Sequence, residues 1–61
     1  MIFTPKQSRL LKGFSQNMIA EQLGIHVQTY RKLENDPSKF TVGQTKVFCE
    51  IVGIPYNQIS F

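Results

Sequence analysis

Two apolar helical periods between Ser15 and Asn35 are separated by only Gly24, Ile25 and His26, and this join constrains the fold more than any other stretch of the chain. Met18, Ile19, Ala20 and Leu23 give the face of one helix, and Tyr30 and Leu33 that of the next. Helices joined so closely cross at a steep angle. The residue types suit such a crossing. Small Ala20 leaves room where the axes approach, and Gly24 can take a positive φ without Cβ strain. Ile19, Leu23, Ile25, Tyr30 and Leu33 fasten the pair to the elements around it.

The flanks read as further helices. Thr4-Pro5 is a helix-entry signal, since Thr can cap exposed backbone donors and Pro at the first position loses no hydrogen bond. A first helix runs from about Pro5 to Lys12 and is ended by Gly13; Ser15 caps the second, which ends at Gly24. The third spans Val27 to Asn35, followed by a polar loop of turn formers, Asn35-Asp36-Pro37-Ser38-Lys39. Thr41 caps a fourth helix, with Val42, Thr45, Phe48, Cys49 and Val52 at helical spacing up to Gly53. The tail from Ile54 to Phe61 holds one turn, started by Pro55. With no alternating strand pattern and no repeat, the class is all-α, a compact domain of four to five helices.

Sixty-one residues make one domain, 1–61, because a chain this short buries only about 60% of its unfolded surface. An apolar share of 41% with five Phe and two Tyr is enough for one core. No apolar run approaches the roughly 18 residues of a membrane span, and the first fourteen residues lack the pattern of a signal peptide, so a cytoplasmic protein without a membrane partner is expected. The lone Cys49 can form no internal disulfide and reads as a small buried hydrophobe. One His, four acids and no glycine-rich phosphate loop give an enzyme no foothold, so no metal, cofactor or small-molecule substrate is expected. The net charge of +3 and pI near 9.4 favour a polyanionic partner only if the basic residues share a surface with a recognition element.

The run Ser15-Gln16-Asn17-Met18-Ile19-Ala20-Glu21-Gln22-Leu23-Gly24-Ile25, followed by Tyr30-Arg31-Lys32-Leu33-Glu34-Asn35, resembles the helix-turn-helix family of phage repressors and Cro proteins. The similarity extends more loosely through Val52-Gly53-Ile54. It implies a lambda-repressor-like fold in which the second helix crosses the DNA backbone and the third enters the major groove, usually as a two-fold dimer. A transcriptional regulator binding double-stranded DNA follows as the expected function, in a bacterial cytosol or that of a phage-infected host.

The resemblance also assigns roles to residues. Val27, Gln28 and Lys32 match the base readers: Val27 suits a thymine methyl, Gln28 a bidentate contact to adenine, and Lys32 guanine acceptors or a phosphate. Arg31 and Thr29 sit where base or backbone contact is available. Gln16, first in the second helix, matches a glutamine that contacts phosphate and braces the first reader, here Gln28. Asn17, Asn35, Lys39 and the backbone amides from Ser38 to Phe40 complete the expected backbone contacts, although Asp36 is a poor neighbour for phosphate. Arg9 and Glu34 match positions that form an ion pair between the first helix and the end of the third. His26 stands at a cap position where the family has small polar residues; a neutral imidazole can cap the helix, and a protonated one can reach a phosphate.

If residues 42, 45, 49 and 52 turn inward, Val47, Ile51 and Ile54 are left partly outside with Tyr56, Ile59 and Phe61, more apolar surface than a small monomer carries. The resemblance places a homodimer contact here, at Ile54, Pro55, Tyr56 and Ile59; the alternative is a tail that folds back into the core. A second functional reading keeps the fold and replaces DNA by a protein partner, as in an antirepressor or antitoxin-like component.

Overall fold

Four α-helices and two single 3-10 turns make up the chain, in a computed structural model that describes residues 1–61. In α1 (Pro5–Leu11) the Thr4 hydroxyl accepts from the Gln7 N–H at 3.1 Å, and the Gln7 side-chain oxygen accepts from the Thr4 N–H at 2.9 Å. Thr41 and Gln44 repeat this reciprocal cap at the start of α4 (Val42–Val52), again at 3.1 and 2.9 Å. Each box satisfies two donors that a bare helix end would leave unpaired. Ser15 caps α2 (Gln16–Leu23) by accepting from the Met18 N–H. The third helix, α3 (Val27–Asn35), starts at His26, whose imidazole makes no cap bond.

Gly24 ends α2 in the left-handed region, at φ 70°, with its N–H returned to the α2 carbonyls of Ala20 and Glu21. The Ile25 N–H closes on the Ala20 carbonyl at 3.0 Å, so the chain turns sharply and α3 departs at once. α2 packs against both α3 and α4. Ile19, Tyr30 and Phe48, one from each, are fully buried at the centre.

Aromatic rings extend this core toward the chain end. Tyr30 meets Phe40 edge-on at 6.5 Å between centroids; Phe40 meets Phe48 at 5.6 Å and Phe61 at 4.9 Å. Edge-to-face pairs of this kind contribute beyond their buried area. The tail is held by its backbone as well. The Phe3 N–H donates to the Gln58 carbonyl and the Ser60 N–H to the Phe3 carbonyl, both at 2.8 Å, forming one parallel bridge between the two ends of the chain.

Two expectations are corrected here. Ile54 and Ile59 are each only 6% exposed, so these two side chains belong to the core of the protein and are unavailable as a dimer contact; Pro55 and Tyr56 remain exposed. Val42 does not turn inward but is 87% exposed. The buried face of α4 is centred on Thr45, Phe48 and Val52, and Val42 lies about a quarter-turn from that centre on the first turn. Cys49, on the same flank, is half-buried.

This difference has a measurable consequence. In urea unfolding, Phe48→Ala is expected to cost about 3–5 kcal/mol, most of the stability of a chain this size, whereas Val42→Ala changes it by no more than about 0.5 kcal/mol.

Candidate nucleic-acid interface

The outward side of α3 is held in place from below by a buried ion pair. Arg9, near the end of α1, donates Nε–H to Glu34 Oε2 at 2.7 Å and an Nη2–H to Oε1 at 3.1 Å, with side chains only 8% and 3% exposed. Its Nη1 donates to the Phe14 carbonyl at 2.9 Å, which ties in the loop between α1 and α2. Burial pushes the Glu34 carboxyl upward, but the hydrogen bonds from Arg9 and Gln16 outweigh it and hold the group below its ordinary 4.5. The Tyr30 hydroxyl is buried beside the pair, close enough to feel both charges yet aligned for a hydrogen bond with neither. Burial first, and the adjacent Glu34 carboxylate after it, raise its pKa, so it stays protonated.

Gln16 joins this pair to the surface. Its Nε2 donates to Glu34 Oε1 at 3.2 Å, and its Oε1 accepts from Arg31 Nε at 3.0 Å. Gln16 braces Arg31 and not Gln28, the reader that the family resemblance implies. The reason is charge: a side-chain amide placed between a carboxylate and a guanidinium satisfies both with charge-assisted bonds, which are stronger than an amide–amide bond.

Gln28, Thr29, Arg31, Lys32 and Asn35 are all exposed on α3, and Asn17 is exposed near the start of α2. Val27 is half-buried against the core, so only part of it faces outward. His26 is exposed at the start of the helix. With Glu34 turned inward to Arg9, the outward side of α3 carries Arg31 and Lys32 and no acid.

The turn after α3 departs from expectation. Phe40 is buried among the aromatic rings, and its N–H donates to the Pro37 carbonyl at 3.1 Å, so neither its side chain nor its amide is free to meet a phosphate. The Lys39 amide is likewise taken, by the Asp36 carbonyl at 3.0 Å, leaving its exposed ammonium as the group that can act. Asp36 accepts from the Ser38 hydroxyl at 2.6 Å, which spends part of its carboxylate within the turn.

Arg31, Lys32 and Asn35 are thus exposed on α3 and Lys39 in the turn that follows, with Arg31 bonded to Gln16 at the start of α2. A rigid helix bearing amide, hydroxyl and cationic groups on one exposed side can enter a major groove. A protein-family model described as helix-turn-helix matches residues 6–59. Neither a search of curated proteins nor one of solved structures gave a significant match.

Removing one partner of the buried pair leaves an uncompensated charge, so Arg9→Ala or Glu34→Ala is expected to cost about 3–5 kcal/mol, while the paired change Arg9→Met with Glu34→Leu recovers at least half of that loss. The pair also sets the response to acid. Because the carboxyl is depressed in the folded state, its stabilisation is complete above the ordinary 4.5 and is lost as pH falls through that value and then the lower folded one. Denaturant unfolding from pH 7 to 3 should show a steeper acid limb for the wild type than for the Met/Leu variant.

Proposed function

The chain belongs to the helix-turn-helix family of DNA-binding regulators, and on that premise we propose that it is a sequence-specific regulator of the phage repressor or Cro type, binding a near-palindromic operator as a dimer. One observation carries the reading: the outward side of α3 is polar and basic and free of acid, because its Glu34 is turned inward to Arg9. Gln28 takes an adenine through its paired donor and acceptor, Lys32 takes guanine acceptors, and the outward part of Val27 meets a thymine methyl. Asn17, Thr29, Asn35 and the Lys39 ammonium contact the flanking phosphates, which set position without reading sequence.

Two copies related by two-fold symmetry would present their α3 helices to successive major grooves about 34 Å apart. The exposed Tyr56 and Pro55, rather than the buried isoleucines beside them, are the tail residues left to meet a second copy. A regulator of this kind works in the cytosol of a bacterium or of a phage-infected host.

A second reading, a module acting mainly through a protein partner, is favoured by a separate apolar surface: Ile2, Leu10 and Leu11 are 65%, 58% and 62% exposed at the N-terminal end of the fold. Retardation of random duplex at low salt separates the two, since a protein-only module leaves DNA unshifted.

Selection of bound sequences from a random duplex pool is expected to return a palindrome. Gln28→Ala combined with Lys32→Ala should sharply reduce the preference for that sequence over random DNA while the protein stays folded. Lys39→Ala should instead weaken binding to all sequences alike and reduce the salt slope by about one per copy. A double variant that keeps full preference contradicts this assignment of readers.

A further inference from the structure

We infer that Gln16 is the positioning residue of Arg31, holding that guanidinium so that its two Nη groups face a pair of acceptors on DNA; the inference rests on the DNA-binding reading above. Of the outward side chains of α3, Arg31 alone is hydrogen-bonded within the protein. The bond runs through Nε, so the side-on fork of the guanidinium, made of Nε and one Nη, is occupied at one prong. The end-on fork, Nη1 with Nη2, is left for a ligand. That fork matches either the O6 and N7 of a guanine or two oxygens of a phosphate.

The orientation of Gln16 is not arbitrary. Reversing its amide would turn the oxygen toward the Glu34 carboxylate and the NH2 toward the Arg31 guanidinium, two repulsive contacts in place of the 3.2 and 3.0 Å bonds. Glu34 is in turn fixed by two bonds from Arg9. Arg31 is therefore an exposed residue anchored through three side chains to α1, whereas Gln28 and Lys32 carry no such anchor. Gln16 thereby orders the guanidinium before DNA arrives, which lowers the cost of ordering it on binding.

The test has a part without DNA and a part with it. In the free protein, the Arg31 Nε–H resonance is expected to be slow to exchange with water and to lose that protection in both Gln16→Ala and the nearly isosteric Gln16→Met. With the duplex selected by the wild type, Arg31→Ala is expected to weaken binding about tenfold. Gln16→Ala should give part of that loss, and the double variant should bind no more weakly than Arg31→Ala alone. Single 7-deazaguanine and methylphosphonate replacements in the duplex then identify the acceptors: one of them should weaken the wild type and have no effect on Arg31→Ala. An Nε–H signal unaffected by either Gln16 variant, losses that multiply in the double variant, or no replacement that depends on Arg31 would each overturn the proposal. A wild type that retards no duplex while its Nε–H remains protected overturns the DNA reading itself and, with it, the recognition role of Arg31.

Discussion

The bidentate pair between Arg9 and Glu34 is the constraint on which the presentation of α3 depends. It spans the first and third helices, reaches the α1–α2 loop through the Phe14 carbonyl, and meets α2 through Gln16. A buried ion pair is poor evidence of net stability, because desolvation offsets most of its attraction. Its geometry is another matter. Two parallel hydrogen bonds fix direction as well as distance, so α3 cannot roll or slide on the rest of the fold without breaking them. Turning Glu34 inward also removes the one acid of α3 from the outward side and leaves that side basic.

The remainder of the core supports α3 from the opposite direction. Tyr30 lies between the ion pair and the aromatic rings of Phe40, Phe48 and Phe61, so the same residue touches the polar anchor and the apolar packing. The tail is needed for this. Phe61 and Ile59 are brought home by the single backbone bridge to Phe3, and with them the two ends of the chain are closed onto the core. A chain of 61 residues without a disulfide has few other means of completing its interior.

Much of the frame was legible in the sequence because local chemistry dictates it. Ser15, Thr4 and Thr41 mark helix starts, Gly24 marks the turn, and the apolar spacing of Ile19, Leu23, Tyr30 and Leu33 implies the crossing pair. Residues 6–59 match the family that the Ser15–Asn35 segment suggested. What escaped was set by distant partners. Nothing local says that Gln16 will choose Arg31 and Glu34 over Gln28, since the choice depends on where the steep crossing brings three side chains together. Phe40 follows directly on a polar loop, but its aromatic ring is itself a signal of burial. Val42 fits the helical period yet lies at the flank of the face, where small errors in phase decide between core and solvent. Nothing local in the tail says that Ile54 and Ile59 enter the core, since the bridge that holds it there joins residues at opposite ends of the chain.

Amide chemical-shift mapping of the protein, titrated with a duplex selected by the wild type, tests most directly whether α3 is the reading element. Major-groove entry by α3 predicts the largest changes from Val27 to Lys32 and at the start of α2, with the exposed Leu10 and Leu11 side of α1 little affected. Changes concentrated around Leu10 and Leu11, or around Val42 and Tyr56, with α3 silent, would contradict it.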